Sequence, residues 1–251
     1  MIFRTIILAA GKGTRMGSDL AKVLHSLHGE PLLSYVVAAA ERAASQDISV
    51  IVGYQADAVR EKFKDRNLHF IEQYEQLGTG HAVLQARELF DNYSGVILIL
   101  CGDVPLLQSC TLKALLECHR KENPSITVLT TVLESPSGYG RIIKGPQGKV
   151  LKIVEERDTT EVERKIKEIN TGIYCVDSHF LFDALGKITN NNAQGEYYLT
   201  DIIAIACRDG LEIASLIASD HREVMGINTP QELEEAHRYM ENVKGRRGLF
   251  K

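Results

Sequence analysis

The chain has 251 residues, 44% of them hydrophobic and 25% charged, which suits one large α/β domain or two small ones with an ample core. A formal net charge of −4 argues against a general polyanion-binding surface, and so against nucleic acid as a partner. The five cysteines (101, 110, 118, 175 and 207) lack metal or disulfide spacing, no apolar run reaches membrane-spanning length, and Met1 to Arg4 leads straight into a strand pattern without a leader. The expectation is a cytoplasmic protein with reduced thiols and no membrane association.

Thr5 to Ala9 is an apolar run that reads as a short buried strand. Leu8-Ala9-Ala10-Gly11-Lys12-Gly13-Thr14-Arg15-Met16 continues from it, with Lys22 just beyond. Glycines let backbone N–H groups approach a phosphate closely, and Lys12, Arg15 and Lys22 add positive charge, so this loop suits a nucleoside triphosphate. No Walker A pattern is present. The dinucleotide fingerprint also fails, because Met16 stands at its third glycine and the second strand ends Val50-Ile51-Val52-Gly53 without an acid for a ribose diol.

Pro31 to Ala44 carries apolar residues at helical spacing, Ile48 to Val52 reads as a second strand, Ala56 to Asp65 as a helix and Leu68 to Ile71 as a third strand. This alternation predicts parallel strands with right-handed crossovers and ligands beyond their carboxyl ends. The third strand runs into Gln73-Tyr74-Glu75-Gln76-Leu77-Gly78-Thr79-Gly80-His81, a tight loop before a helix expected over His81 to Phe90. Gln73 carries a donor and an acceptor that match the imide edge of uracil. Val96 to Leu100 is the most apolar strand, hence central, and ends Cys101-Gly102-Asp103. A carboxylate there sits in the ligand crevice and can hold Mg²⁺, although a turn aspartate is the commoner role.

Cys110 to Arg120 reads as a helix, and Ile126 to Val132 and Lys149 to Glu155 as strands. Ile169 to Ile173 opens a further strand. Gly140, Glu155 and Asn170 are by themselves ordinary turn and strand-edge residues. Thr189 to Asp201 is rich in turn formers and then becomes helical. Glu212 to Ile217 and Met225 to Asn228 read as short strands. Thr229-Pro230-Gln231-Glu232 is a good helix start, and Leu233, Ala236, Met240 and Val243 form one apolar stripe. The tail Lys244 to Gly248 reads as a solvated end.

The opening loop resembles the signature of the sugar-nucleotide pyrophosphorylases. Q-x-x-Q-L-G-T-G-H-A, G-Y-G-R-I, E-I-N-T-G-I, N-N-N-A-Q-G-E-Y-Y-L-T-D and the G-x-N at Asn228 extend the likeness to the bacterial N-acetylglucosamine-1-phosphate uridyltransferases, from about Phe3 to the last helix. The resemblance implies a Rossmann-like α/β fold with a mostly parallel mixed central sheet and helices on both faces. It implies a nucleotidyltransferase domain over 1–228, with a nucleotide half to about 110 and a sugar half to about 228, and a C-terminal helix and tail over 229–251. The β-helix acetyltransferase part of that family is not in this sequence, so neither acetyl transfer nor its trimer is expected.

The implied reaction is uridylyl transfer from UTP to N-acetyl-α-D-glucosamine 1-phosphate, with Mg²⁺. Another hexose 1-phosphate, such as glucose or N-acetylgalactosamine phosphate, and a non-catalytic sugar-nucleotide sensor stand as alternatives. Arg15 and Lys22 are the implied catalytic residues, and Asp103 and Asn228 the metal ligands. The implied substrate contacts are Leu8, Ala9, Ala10, Gly11, Lys22, Gln73, Gly78 and Thr79 toward the nucleotide. Those toward the sugar and its phosphate are Cys101, Gly102, Asp103, Gly140, Glu155, Asn170 and Asn228. Cys101 departs from the family, which has tyrosine there, and this alters one wall of the sugar pocket. His81 is expected to be structural, and the segment ending at Asp201 to lie against a weak subunit contact.

Overall fold

The computed structural model describes residues 2–244, with side chains as far as Asn242. In chain order, β1 (Phe3–Ala9) leads through the glycine loop to a two-residue hairpin, β2 (Ser26–Leu27) and β3 (Glu30–Pro31). Next come α1 (Leu32–Arg42), β4 (Ile48–Val52), α2 (Ala56–Lys62), β5 (His69–Glu72), α3 (Thr79–Leu84), α4 (Arg87–Phe90) and β6 (Val96–Cys101). The second half holds α5 (Ser109–Glu122), β7 (Ile126–Val132), β8 (Arg141–Lys144), β9 (Val150–Val154), β10 (Glu168–Asp177), α6 (Ser178–Leu185), α7 (Asp201–Arg208), β11 (Ile213–Ile217) and α8 (Pro230–Lys244).

One sheet runs through the molecule in the order β11-β7-β10-β6-β1-β4-β5, with β8 and β9 continuing from β10 as a side ladder. β1 is parallel to both β4 and β6, β4 to β5, and β11 to β7. β10 alone on the main path is antiparallel to its neighbours β6 and β7. Both faces are covered, which is why the central strands are continuously apolar rather than alternating. On one face Phe3, Ile7, Val50 and Leu98 pack with α1, α2 and α5. On the other, Ile6, Ile51, Ile97 and Ile99 pack with α3, α4, α6 and α7.

The chain steps from β1 outward to β4 and β5, then returns to the other side of β1 as β6. Strand order therefore reverses between β1 and β6, and in open α/β sheets ligands bind beyond the carboxyl ends of the strands at that point.

Several expectations change. The helix expected over His81 to Phe90 is two helices. The Gln85 side chain donates to the His81 carbonyl at 3.0 Å, and the Gln85 N–H bonds Ala82 instead, which unwinds the turn. Met225 to Asn228 is not a strand, because the Ile227 N–H is donated to the Asp103 carbonyl at 2.9 Å rather than to a sheet neighbour. Helix α6 was not foreseen; it follows β10 without a loop, with Asp177 capping it by accepting from the Phe180 N–H at 3.0 Å. In the stripe of α8, Leu233, Ala236 and Met240 pack with Met16, Leu27 and Ile227. The Val243 side chain and the tail from Gly245 onward lie outside the described residues.

Candidate active site

The carboxyl ends of β1 and β6 lie side by side, held by the Gly102 N–H on the Leu8 carbonyl at 2.9 Å. From there the glycine loop folds back on itself. Gly13 has φ +70°, and a β-carbon on it would come within 2.5 Å of Lys22 Cβ, so glycine is what lets Lys22 close over the loop. Across the crevice, Gly78 has φ +110° and the backbone of Tyr197 lies against it, leaving no room for a side chain. The Gly80 N–H on the Tyr197 carbonyl at 2.8 Å and the Leu199 N–H on Thr79 Oγ1 at 3.0 Å stitch this loop to the segment before α7.

Two cavities open here, of about 310 and 340 Å³. They share Leu8, Thr79, Cys101 and Asp103 as a common wall. The first is lined in addition by Ala9, Ala10, Gly11, Lys22, Gln73 and Gly78. The second is lined by Arg15, Gly140, Glu155, Asn170 and Asn228. Every residue implied as a catalytic, metal or substrate contact thus lines one lobe or both, except Gly102, while Lys12, the third cation of the loop, lines neither. That glycine is buried behind the wall, where its N–H joins β6 to β1. The loop's cations separate, with Lys22 on the first lobe and Arg15 on the second.

In the first lobe, Gln73 is 3% exposed and its amide NH₂ is already engaged. Nε2 donates to the Gly78 carbonyl at 3.1 Å and lies 3.0 Å from His81 Nδ1. The expectation that Gln73 offers both donor and acceptor is corrected on this geometry: Oε1 is the atom left to meet a ligand. His81 thereby holds the Gln73 amide in place.

In the second lobe, an irregularity of β10 between Asn170 and Tyr174 turns Asn170 to Gly172 into the groove. Asn170 Oδ1 accepts from the Gly172 N–H at 3.1 Å, leaving its NH₂ to donate. Glu155 accepts from Thr200 Oγ1 at 3.0 Å. Burial, helped by the carboxylates of Asp201, Asp158 and Glu196, pushes the Glu155 pKa up against the opposing Thr200 hydrogen bond. Enclosure pushes the Cys101 thiol up to about 12, so it stays protonated, and Sγ lies 3.5 Å from the Gly172 carbonyl.

Residues not singled out from the sequence complete the lining. Glu196 joins the first lobe, and Tyr139, Leu199, Thr200 and Glu232 the second. The Y-Y-L-T-D run was the available signal for Leu199 and Thr200. Tyr139 has a buried hydroxyl with no hydrogen-bond partner among the described residues, and burial pushes its pKa up to about 12. Glu232 accepts from the Asn228 and Thr229 N–H groups at 2.6 and 2.9 Å, the reciprocal half of the helix cap expected there.

Between the lobes, Lys22 Nζ donates both to Asp103 Oδ2 and to Asn228 Oδ1, the latter at 3.0 Å. Arg15 Nη2 also reaches Asn228 Oδ1, at 2.9 Å. One positive group therefore touches both oxygens at once. A carboxylate and an amide oxygen are hard donors of the kind Mg²⁺ prefers, so this pair fits that ion. Among the described residues no cluster of three or more His, Cys, Asp or Glu side chains offers a richer site.

A family model described as nucleotidyl transferase matches residues 4–242. The chain belongs to the nucleotidyl transferase family. It is 51% identical over 235 residues to the bifunctional protein GlmU of Geobacter metallireducens, covering 93% of this chain and 49% of the relative. The GlmU of Brevibacillus brevis is 47% identical over 94% of the chain and 51% of the relative. That of Desulfotalea psychrophila is 46% identical over 91% and 67%. The chain thus spans about half the length of the first two of these relatives. A solved UDP-glucose pyrophosphorylase, complexed with UDP-glucose, superposes with a TM-score of 0.78 over 97% of this chain and all of the other. At 17% identity that likeness concerns the nucleotidyl transferase fold alone. Among the described residues no helix is long and apolar enough to cross a membrane.

Proposed function

We propose that this chain transfers uridylyl from UTP to N-acetyl-α-D-glucosamine 1-phosphate, giving UDP-N-acetylglucosamine and pyrophosphate. The observation that carries the reading is the two-lobed groove meeting at Asp103, with Gln73 in one lobe and Glu155 and Asn170 in the other, in a chain about half identical to GlmU proteins. On this reading the first lobe takes the nucleotide and the second the sugar. The chain to about residue 110 serves mainly the former, and the reaction runs in the cytoplasm.

A sugar-phosphate oxygen attacks the α-phosphorus of UTP in line, and pyrophosphate leaves. The nucleophile is already an anion, so no general base is needed. The work is bringing two anions together and screening their charge. Lys22 stands at the junction of the lobes, where on this reading the two phosphates would meet. Arg15 is exposed and bonded to Asn228 Oδ1; on this reading it exchanges that bond for the departing pyrophosphate, where loss of an electrostatic contact costs up to about 10²–10³ in rate. Asp103 and Asn228 would hold Mg²⁺, which supplies charge neutralisation between the two phosphates. Glu155 and Asn170 supply an acceptor and a donor for sugar hydroxyl and amide groups.

Pyrophosphate release, measured with UTP against a panel of sugar 1-phosphates, tests the reading. The fastest turnover is expected with N-acetylglucosamine 1-phosphate. Preference for glucose or N-acetylgalactosamine 1-phosphate would change the sugar, and UTP binding without any release would make the chain a sensor.

A further inference from the structure

The turn between β4 and α2, Gly53-Tyr54-Gln55, grips the glycine loop at both ends. At the start of the loop, the Tyr54 N–H donates to the Ala10 carbonyl at 3.0 Å, and Lys12 Nζ lies 5.0 Å from the centre of the Tyr54 ring. At its far end, Tyr54 Oη and Gln55 Nε2 both donate to the Asp19 carbonyl, at 3.0 and 2.9 Å. Gln55 Oε1 accepts the Ala21 N–H at 2.8 Å. Ala21 is fully buried, so without Gln55 that N–H would have neither water nor a protein acceptor.

Two features single out Gln55. Its backbone is left-handed, with φ +53°, a conformation that a glutamine holds only when its surroundings require it. The peptide it grips also immediately precedes Lys22; locally that stretch is tied only by the Leu20 N–H on Ser18 Oγ at 3.0 Å and by the Leu24 N–H on the Ala21 carbonyl at 2.9 Å, and neither bond takes the Ala21 N–H.

We propose that Gln55 is a positioning residue for nucleotidyl transfer: its amide pins Asp19 and Ala21 and thereby sets where Lys22 stands against Asp103. This rests on the reading of the loop as a triphosphate site. Lys22 works at the reacting centre, so loosening it should lower kcat more than it raises KM for UTP.

The test compares wild type with Gln55→Gly and Gln55→Glu. Glycine removes the clamp and also relieves the left-handed backbone, so Tm should stay within about 3 °C of wild type. kcat/KM should nonetheless fall about 10- to 100-fold, the cost of a small misplacement of a reacting group. Hydrogen exchange at residues 17–22, and at the Ala21 amide above all, should accelerate. Glutamate keeps an acceptor for Ala21 but opposes the Asp19 carbonyl, and should recover part of the activity.

Turnover of Gln55→Gly within about twofold of wild type overturns the proposal. So does an activity loss that tracks a fall in Tm and is not eased by glutamate, which would make Gln55 a fold anchor. A wild-type chain inactive with every triphosphate and sugar phosphate would instead break the functional reading. The exchange of the Ala21 amide would still decide whether the clamp exists.

Discussion

The Lys22 ammonium bridges the Asp103 carboxylate and the Asn228 amide oxygen, the same two oxygens proposed to hold Mg²⁺. Asp103 keeps its other carboxylate oxygen, but Asn228 has a single amide oxygen, so a divalent cation bound there must displace the ammonium from it. The anionic triphosphate is the natural place for Lys22 to go. Metal binding should therefore be weak alone and strengthen with UTP. Lys22→Met should bind Mn²⁺, followed by its paramagnetic resonance, about tenfold more tightly than wild type without nucleotide, since one close like charge is removed. Arg15→Met, which frees only the bond to Asn228, should do less. Equal gains in the two variants would reduce the effect to general charge, and no gain in either would place the metal elsewhere.

Gln73 sets the second expectation. Its NH₂ is held by the Gly78 carbonyl and by His81, so on the proposed reading Oε1 is the group left to meet a base. A carbonyl oxygen accepts the N3–H of uracil but meets a lone pair at N3 of cytosine. UTP should exceed CTP in kcat/KM by at least about 10², because a site built around one hydrogen bond leaves its polar groups unpaired with the wrong partner. Comparable pyrophosphate release from CTP would remove Gln73 from base recognition.

Legibility in the sequence followed burial. β4 and β7 have the bounds that their apolar runs indicated, because strands covered on both faces need no polar alternation. β8, Arg141–Lys144, escaped notice because it is short and flanked by charge, and it pairs mainly in the side ladder with β9. The site was legible wherever it rests on local motifs: the glycine loop, Gly78-Thr79, Asp103 and Asn228. What was not legible depends on contacts across the fold. The engagement of the Gln73 NH₂, the commitment of the Ile227 N–H to the Asp103 carbonyl, and the grip of Gln55 on residues 34 and 36 positions earlier leave no spacing pattern in the chain.

The two proposed metal ligands differ in charge, and that difference orders their variants. Asp103→Ala removes the formal negative charge and strands Lys22, so turnover should fall about 10³-fold, at the upper end for loss of a preorganised electrostatic group. Asn228→Ala removes a neutral oxygen while the Glu232 cap on the following helix stays in place. Its loss should be about tenfold at ordinary Mg²⁺ and should shrink as Mg²⁺ is raised, by mass action. Steady-state rates across a magnesium titration give both numbers. The reverse order of sensitivity would break the assignment.

Glu155 links the lobe proposed for the sugar to stability. Burial is the main reason its pKa is raised, and the carboxylates of Asp201, Asp158 and Glu196 add to it. A carboxyl group with a raised folded-state pKa binds its proton more tightly in the folded chain than in the unfolded one. Its contribution is therefore neutral below the ordinary glutamate pKa. It becomes a cost as pH climbs from there through the raised value, and levels off above it. Glu155→Gln keeps the shape and an oxygen for the Thr200 hydroxyl but never ionises. The variant should match wild type in urea midpoint near pH 4, where an ordinary glutamate begins to ionise, and should exceed it increasingly toward neutral pH. The same change weakens a charged acceptor for the sugar, so KM for N-acetylglucosamine 1-phosphate should rise about tenfold, with KM for UTP little changed. A variant less stable than wild type at every pH would mean that the ionised carboxylate is held favourably, and burial would not be what sets its protonation.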